Sequence, residues 1–453
     1  SSRGVGGYVA DQLAATGPDA ATERMLNGFS LLDRGRSRAA WQAVADAGGT
    51  RFRLELTHSN VLRATHSSHQ LYEMMCQLWA DHFNVDLYAD GRLRHLLADH
   101  QENVIRPNAM GKFRDLLIAT AHSPAMLAYL DNDTSNANAN QGINENYGRE
   151  LLELHTLGID DAGNHIYTED DVRAAAMVMT GWSMVRDRNA GNYSSFIFRN
   201  DYHFTGDISL LNGAWTRGGN AGKAAGDSLL QYLAVHPSTA SHIARKLCRR
   251  FVGDDPPAGL VASTAQVYLA NDTDLVPTLR HVLGSDEFAA SAGRKLRRPL
   301  EFLAATLRAT GAETATDPNG DASKQFRNAL TSLDHLPWSW SQPDGFPDSA
   351  SHWLSTDGLT GRWQLGARAA RNQIRGVTTN VDQLRSAAGN GTVGDLINGL
   401  SARFGLGQLP ADQVTAIAAG GGLEPSQAAS EADDREVTDI VALLLAHPIF
   451  QTR

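Results

Sequence analysis

Cysteine is nearly absent. Cys76 and Cys248 stand alone in 453 residues, too few for a four-cysteine metal site, and each lies in an apolar helical pattern that reads as a buried thiol rather than half of a disulfide. No apolar run approaches the roughly 18 residues of a membrane span. No basic block appears in a chain of net charge −10, which argues against nucleic acid and anionic membranes as partners and favours a neutral or cationic ligand. There is no Gly-x-Ser-x-Gly elbow, no Ser-His-Asp order, and no His-Glu-x-x-His, so serine-hydrolase chemistry is least favoured and the commonest zinc-protease motif is missing. The chain starts Ser1-Ser2-Arg3 without methionine, as a cleaved export signal or a trimmed terminus would leave it.

Alternating β-branched patterns are also scarce, whereas segments rich in Ala, Leu, Arg and Glu dominate. The expectation is a mainly α protein with long irregular aromatic-rich loops and little β. Residues 1–310 read as a main helical domain, and 324–453 as a C-terminal helical part packed on it, with a polar linker between. Within the first, 185–226 is rich in Gly, Asn, Ser and aromatics and has no helical period, the signature of an ordered lid or wall. A phosphate loop at Gly222-Lys223 is excluded, because Arg217 and Ala224 replace the required glycine and hydroxyl residue.

The centre of interest is Asn144-Glu145-Asn146-Tyr147-Gly148-Arg149-Glu150-Leu151-Leu152-Glu153-Leu154-His155. On a helical wheel Tyr147, Leu151 and Leu154 share one face, while Glu145, Asn146, Arg149, Glu150 and Glu153 crowd the other. Side chains three and four apart sit about 5–6 Å from one another, so the three carboxylates and one guanidinium form a compact cluster able to do acid and base work. The plainer reading is a solvated face with Glu145 and Arg149 as an i,i+4 pair. Gly148 gives up helix propensity for room.

Other candidates lie along the chain. Trp79-Ala80-Asp81-His82-Phe83 packs an indole, a carboxylate and an imidazole near a helix end. Asp131 to Asn136 begins like a calcium loop, but Asn136 and Gly142 stand where that loop needs glycine and glutamate. Thr168 followed by Glu169, Asp170 and Asp171 is a helix start. Arg245, Lys246 and Arg249 line up with His242 as a basic strip, either solvated or facing the acidic cluster. Trp338 to Asp348 is a second aromatic loop carrying Asp344.

Taken together, Trp79 to Phe83, Ser123-Pro124-Ala125-Met126-Leu127-Ala128-Tyr129-Leu130-Asp131-Asn132, Asn144 to Gly158, Thr180-Gly181-Trp182, His236-Pro237, Lys246-Leu247 and Pro343-Asp344-Gly345-Phe346-Pro347-Asp348 resemble the bacterial DUF1800 family, in order along nearly the whole chain. The resemblance implies a mostly helical, usually exported protein, and implies no activity. Two departures stand out: Gly148 replaces the usual alanine, and His203-Phe204 replaces a His-Asp pair with a following lysine.

Three functions are weighed. The first is a secreted or cell-surface glycoside hydrolase acting on a polysaccharide or oligosaccharide, with no cofactor or metal. Glu145, Glu150 and Asp81 are its candidate catalytic carboxylates, and Asp344 is a further source of the second one. Glu145 should be held ionised by Arg149, and one of Glu150 and Glu153 should be raised by like-charge repulsion. Trp79, Trp182, Trp338 and Tyr147 would stack on sugar rings, and His82, Asn144, Asn146 and His203 would bind hydroxyls. The second is a metal-dependent helical bundle using Glu55 and His58, which have the Glu-x-x-His spacing once. The third is a non-enzymatic carbohydrate-binding surface protein.

Overall fold

A computed structural model describes residues 4–32, 38–138, 143–159, 163, 165–218, 221–386 and 391–453. The fold is mainly α. The named strands among the described residues make three two-stranded antiparallel ribbons. Two of them, Trp182–Met184 with Phe196–Phe198 and Ile208–Leu210 with Trp215–Arg217, order the stretch that lacks a helical period. The third joins Glu313–Thr314 to Val377–Thr378.

Local chemistry sets the helix boundaries. Thr168 and Asp171 form a reciprocal cap, the Asp171 carboxylate accepting from the Thr168 N–H at 2.8 Å and the Thr168 hydroxyl from the Asp171 N–H at 3.3 Å, so two of the orphan donors of the Glu169–Met179 helix are satisfied. Pro237 opens the Pro237–Phe251 helix, where its missing N–H costs nothing, and the His236 ring accepts from the Ser238 N–H at 3.2 Å.

Burial divides the apolar side chains into two main clusters. The first gathers residues from Leu13 to Val282 together with Trp338. The second gathers Val61 and residues from Leu300 to Phe450. The Pro299–Thr310 helix, which the sequence assigns to the end of the first part, buries Leu300, Phe302, Leu303 and Leu307 in the second. Each such side chain contributes about 1.5–3 kcal/mol when fully removed from water. The Gly49–His66 helix serves both clusters, sending Leu56 and Leu62 into one and Val61 into the other.

Where these parts meet, charges are paired out of water. Arg298 reaches Asp81 at 2.5 Å, Arg250 reaches Glu301 at 2.6 Å, and Lys295 joins Asp254 at 2.7 Å and Asp348 at 3.1 Å. The Gln70–His82, Pro237–Phe251 and Pro299–Thr310 helices and the loops carrying Asp254, Lys295 and Asp348 are thereby fixed in register, because stranding any one of these charges is costly. Cys76 and Cys248 are buried free thiols, and burial pushes the Cys76 thiol up to about 12. No helix among the described residues is long and apolar enough to cross a membrane.

Candidate functional site

The Asn144–Glu153 stretch begins as a short α-helix, Asn146–Glu150, and then widens into a π turn over Leu151–His155. Asn144 prepares it by accepting from the Asn146 N–H at 2.9 Å. Gly148 lets the helix lie against the Glu169–Met179 helix: a Cβ there would sit 2.7 Å from the Ala176 nitrogen and the Val172 oxygen. The widening re-aims the side chains. Leu152 and His155 point inward with Leu151, while Leu154, assigned to the inner face by a 3.6-residue wheel, is only partly buried.

The expected pairing of Glu145 with Arg149 is replaced by two bonds to the neighbouring helix. Arg149 makes a bidentate pair with Glu169 at 2.9 and 2.6 Å, and Glu145 takes Arg173 at 3.0 Å. Both pairs are solvent-screened. Their effect on the site is indirect, since Arg149 is held to Glu169 and no hydrogen bond joins it to Glu150.

The widened turn leaves carbonyls without helical partners, and side chains supply most of the donors. Leu151 C=O accepts from the Thr156 hydroxyl at 2.6 Å and Leu152 C=O from the Gly158 N–H at 3.1 Å. His242 Nε2 faces Leu154 C=O, and His82 Nε2 faces His155 C=O, each at 3.2 Å. A carbonyl partner places the proton on Nε2 in each ring. Burial holds all three histidines neutral: His155 and His242 fall to about 3, and His82 falls well below its ordinary value, with the Lys246 charge adding to the effect in each case. His82 therefore braces the turn rather than binding a ligand.

Above this floor lies the aromatic loop. Asn84 Nδ2 donates to the carbonyls of Trp340 at 2.9 Å and Gln342 at 2.7 Å, and Tyr129 donates to Ser341 C=O at 3.1 Å. Gly345 adopts φ +75° directly over the Asp81 backbone, where a Cβ would collide with the Asp81 carbonyl. The loop so placed brings Asp344, which accepts from Trp340 Nε1 at 2.8 Å, into the electrostatic field of Glu150. Burial, the Glu153 charge and the Asp344 charge together raise the Glu150 carboxyl to about 7, Arg149 opposing them. Lys246 is lowered to about 8 by burial, against the opposing pull of Asp81, Asp344 and Asp348. Asp344 thus couples to both an acid and a base that exchange protons near neutrality. Lys246, set in a strip that reads as solvated, is the group the sequence undervalued; Tyr129 and Trp340 carried no distinguishing signal beyond their motifs.

Several sequence candidates lie elsewhere. Trp79, Tyr147 and Trp182 are buried in the core, Trp79 donating to Ala109 C=O at 2.9 Å and Trp182 packed against Gly226, so none presents a face to a sugar. His203 is buried and its Nδ1 lies 3.0 Å from Thr180 C=O, tying its loop to the end of the Glu169–Met179 helix. Asp81 is held by Arg298 beneath Gly345. Asn144 and Asn146 remain near the surface. Glu55 accepts from the Leu31 N–H at 2.9 Å and from Arg51 at 3.2 Å, while His58 Nδ1 lies 2.8 Å from the Ser323 hydroxyl. Among the described residues, no three His, Cys, Asp or Glu side chains are arranged to hold a metal. In the calcium-like loop Asp133 takes Arg92 at 2.9 Å and Arg186 at 2.5 Å, and Gly142 lies outside the described residues.

With this geometry in place, comparison with known proteins adds one finding. The family model described as protein of unknown function (DUF1800) matches residues 1–452. No curated protein and no solved structure matches the chain.

Proposed function

The chain belongs to the DUF1800 family, and from that footing we propose that it is an extracellular hydrolase of glycosidic bonds in a polysaccharide, with Glu150 as general acid. One observation carries the proposal: Glu150 keeps its proton up to about pH 7, under the influence of a carboxylate, Asp344, from a separate loop. Glycoside hydrolysis needs two such groups, one protonated to deliver a proton to the leaving oxygen and one able to support positive charge at the sugar carbon or to direct its attack.

In this reading Glu150 donates to the glycosidic oxygen and Asp344 is the paired carboxylate. Glu153 helps keep the proton on Glu150, and Lys246 offsets the negative charge of the Asp344 loop. Trp340 and Tyr129, both partly exposed, offer ring surfaces to a sugar, and Asn144 and Asn146 offer amides to its hydroxyls. Glu145 and Asp81 take no chemical part, because each is committed to an arginine. Purified protein incubated with a panel of bacterial and plant polysaccharides should release reducing ends, and Glu150→Gln and Asp344→Asn should each abolish the release. Unchanged release from Glu150→Gln would sink the assignment.

A further inference from the structure

A cavity of about 750 Å³ opens beside the aromatic loop. Trp340, Phe346, Trp353, Tyr88 and His352 give it aromatic walls. Two arginines also line it, from different helices: Arg327 on Asp321–Ser332 and Arg362 on Thr356–Ala370.

Arg362 is 0% exposed, yet only part of its guanidinium is used. Nη1 donates to Arg297 C=O at 2.7 Å, while Nε and Nη2 have no hydrogen-bond partner among the described residues. The buried Nε of Arg327 has none either. Glu301 is the carboxylate that favours the charged form of Arg362, but Arg250, Arg298 and Arg453 already hold it, at 2.6, 3.3 and 3.3 Å. The carboxylates that line the cavity, Asp334 and Asp357, are exposed to solvent. Buried polar groups are almost always satisfied, and a buried cation without its own anion is especially costly. Two arginines that line one aromatic-walled cavity and leave three guanidinium nitrogens without a hydrogen-bond partner describe a receptor for a planar anion with a ring attached.

We propose that this cavity binds a carboxylate-bearing sugar, a uronic acid residue, with its carboxylate on Arg362 and Arg327 and its ring against the aromatic wall. Trp340 ties the cavity to the carboxylate site, since the same indole lines the one and donates to Asp344 in the other. The choice of a sugar acid over other carboxylates rests on the hydrolase reading; the anion site itself does not.

Calorimetric titration of the full chain with D-glucuronate, D-glucose, benzoate and inorganic phosphate tests the inference directly. D-glucuronate should bind and D-glucose should not, and Arg327→Gln should weaken binding by about tenfold, the loss of one charge-assisted hydrogen bond. Arg362→Lys keeps the charge but removes the fork and should weaken binding at least as much; if it does not fold, the partly exposed Arg327 position carries the test alone. Benzoate bound in preference to glucuronate overturns the sugar assignment. Phosphate binding without glucuronate overturns the carboxylate assignment, and the absence of any anion binding overturns the site. Glucuronate binding by a protein that releases no reducing ends from any polysaccharide supports the cavity while removing the hydrolase. Hydrolysis of neutral polysaccharides without glucuronate binding does the reverse.

Discussion

Replacing Glu150 by Gln should make the protein more stable at pH 8 and leave its stability nearly unchanged at pH 4. The folded structure raises this carboxyl from 4.5 to about 7, so the native state holds a proton that the unfolded chain releases. Stability then falls as pH rises from about 4.5 to 7, and the penalty stays constant above that range. The difference between the two values corresponds to about 3 kcal/mol at 1.36 kcal/mol per pH unit. Glu150 is partly exposed, and solvent screening reduces the expected gain to about 1–2 kcal/mol. Gln has nearly the same shape and cannot ionise, so it removes the penalty at pH 8 while changing little where Glu150 is already protonated. Urea unfolding of both proteins at the two pH values, compared through the midpoint at equal slope, reads the effect. An equal loss of stability at both pH values would refute the argument, because it would mean that Glu150 is stabilising and ionised. The same proton sets the activity profile. Hydrolysis dependent on Glu150 as acid should decline as pH rises through about 7, and a profile flat from pH 6 to 9 would assign the proton donor elsewhere.

Three further perturbations follow from contacts around the site. Gly148→Ala should destabilise the protein by about 2 kcal/mol, since the methyl meets helix backbone at 2.7 Å and neither helix can yield without repacking; a denaturation midpoint equal to wild type would show that the helices separate freely. Asp81→Asn removes the shortest partner of the buried Arg298, which keeps Glu301 at 3.3 Å, and should cost about 1.5–3 kcal/mol, whereas a purely catalytic Asp81 would lose activity at unchanged stability. Gly345→Ala forces both a left-handed alanine and a collision with the Asp81 carbonyl, so the loop should lift and activity fall at least tenfold, about 1.4 kcal/mol in the barrier. Glu150 should then titrate lower as Asp344 withdraws, moving the descending limb of the pH profile toward acid.

The mainly α fold was legible because helix formers, caps and breakers agree with one another. Thr168 with its three following acids is such a case, and the structure ends the preceding irregular stretch and starts a helix there. The ribbons between Trp182 and Arg217 were not legible, because strands of three residues are too short to display an alternation. The membership of the two apolar clusters was not legible either. The Pro299–Thr310 helix continues the main region in sequence, but which cluster its leucines enter depends on partners that lie beyond residue 320.

Around Asn144 to His155, the carboxylates were picked out by type and spacing, while their partners depend on two features that a regular wheel cannot represent. A π turn hydrogen-bonds i to i+5 rather than i to i+4, so it turns His155 inward and leaves the carbonyls of Leu151, Leu152, Leu154 and His155 to outside or irregular donors. His242, read in the sequence as part of a basic strip, meets that need for Leu154, and His82, read as a hydroxyl-binding imidazole, meets it for His155. The second feature is distance along the chain. Arg149, four residues from Glu145, lies nearer in sequence than Glu169, yet the packing of two helices across Gly148 gives Arg149 to Glu169. With Arg149 bonded to Glu169, the proton of Glu150 is governed by burial and by carboxylates on Glu153 and on a loop almost 200 positions away in the chain, at Asp344, with the Arg149 charge opposing them. The aromatic residues follow the same logic. A tryptophan inside a helical pattern, such as Trp79, is drawn into the core by the area it buries. One in a loop whose carbonyls are held by a side chain from another segment, such as Trp340, stays partly exposed.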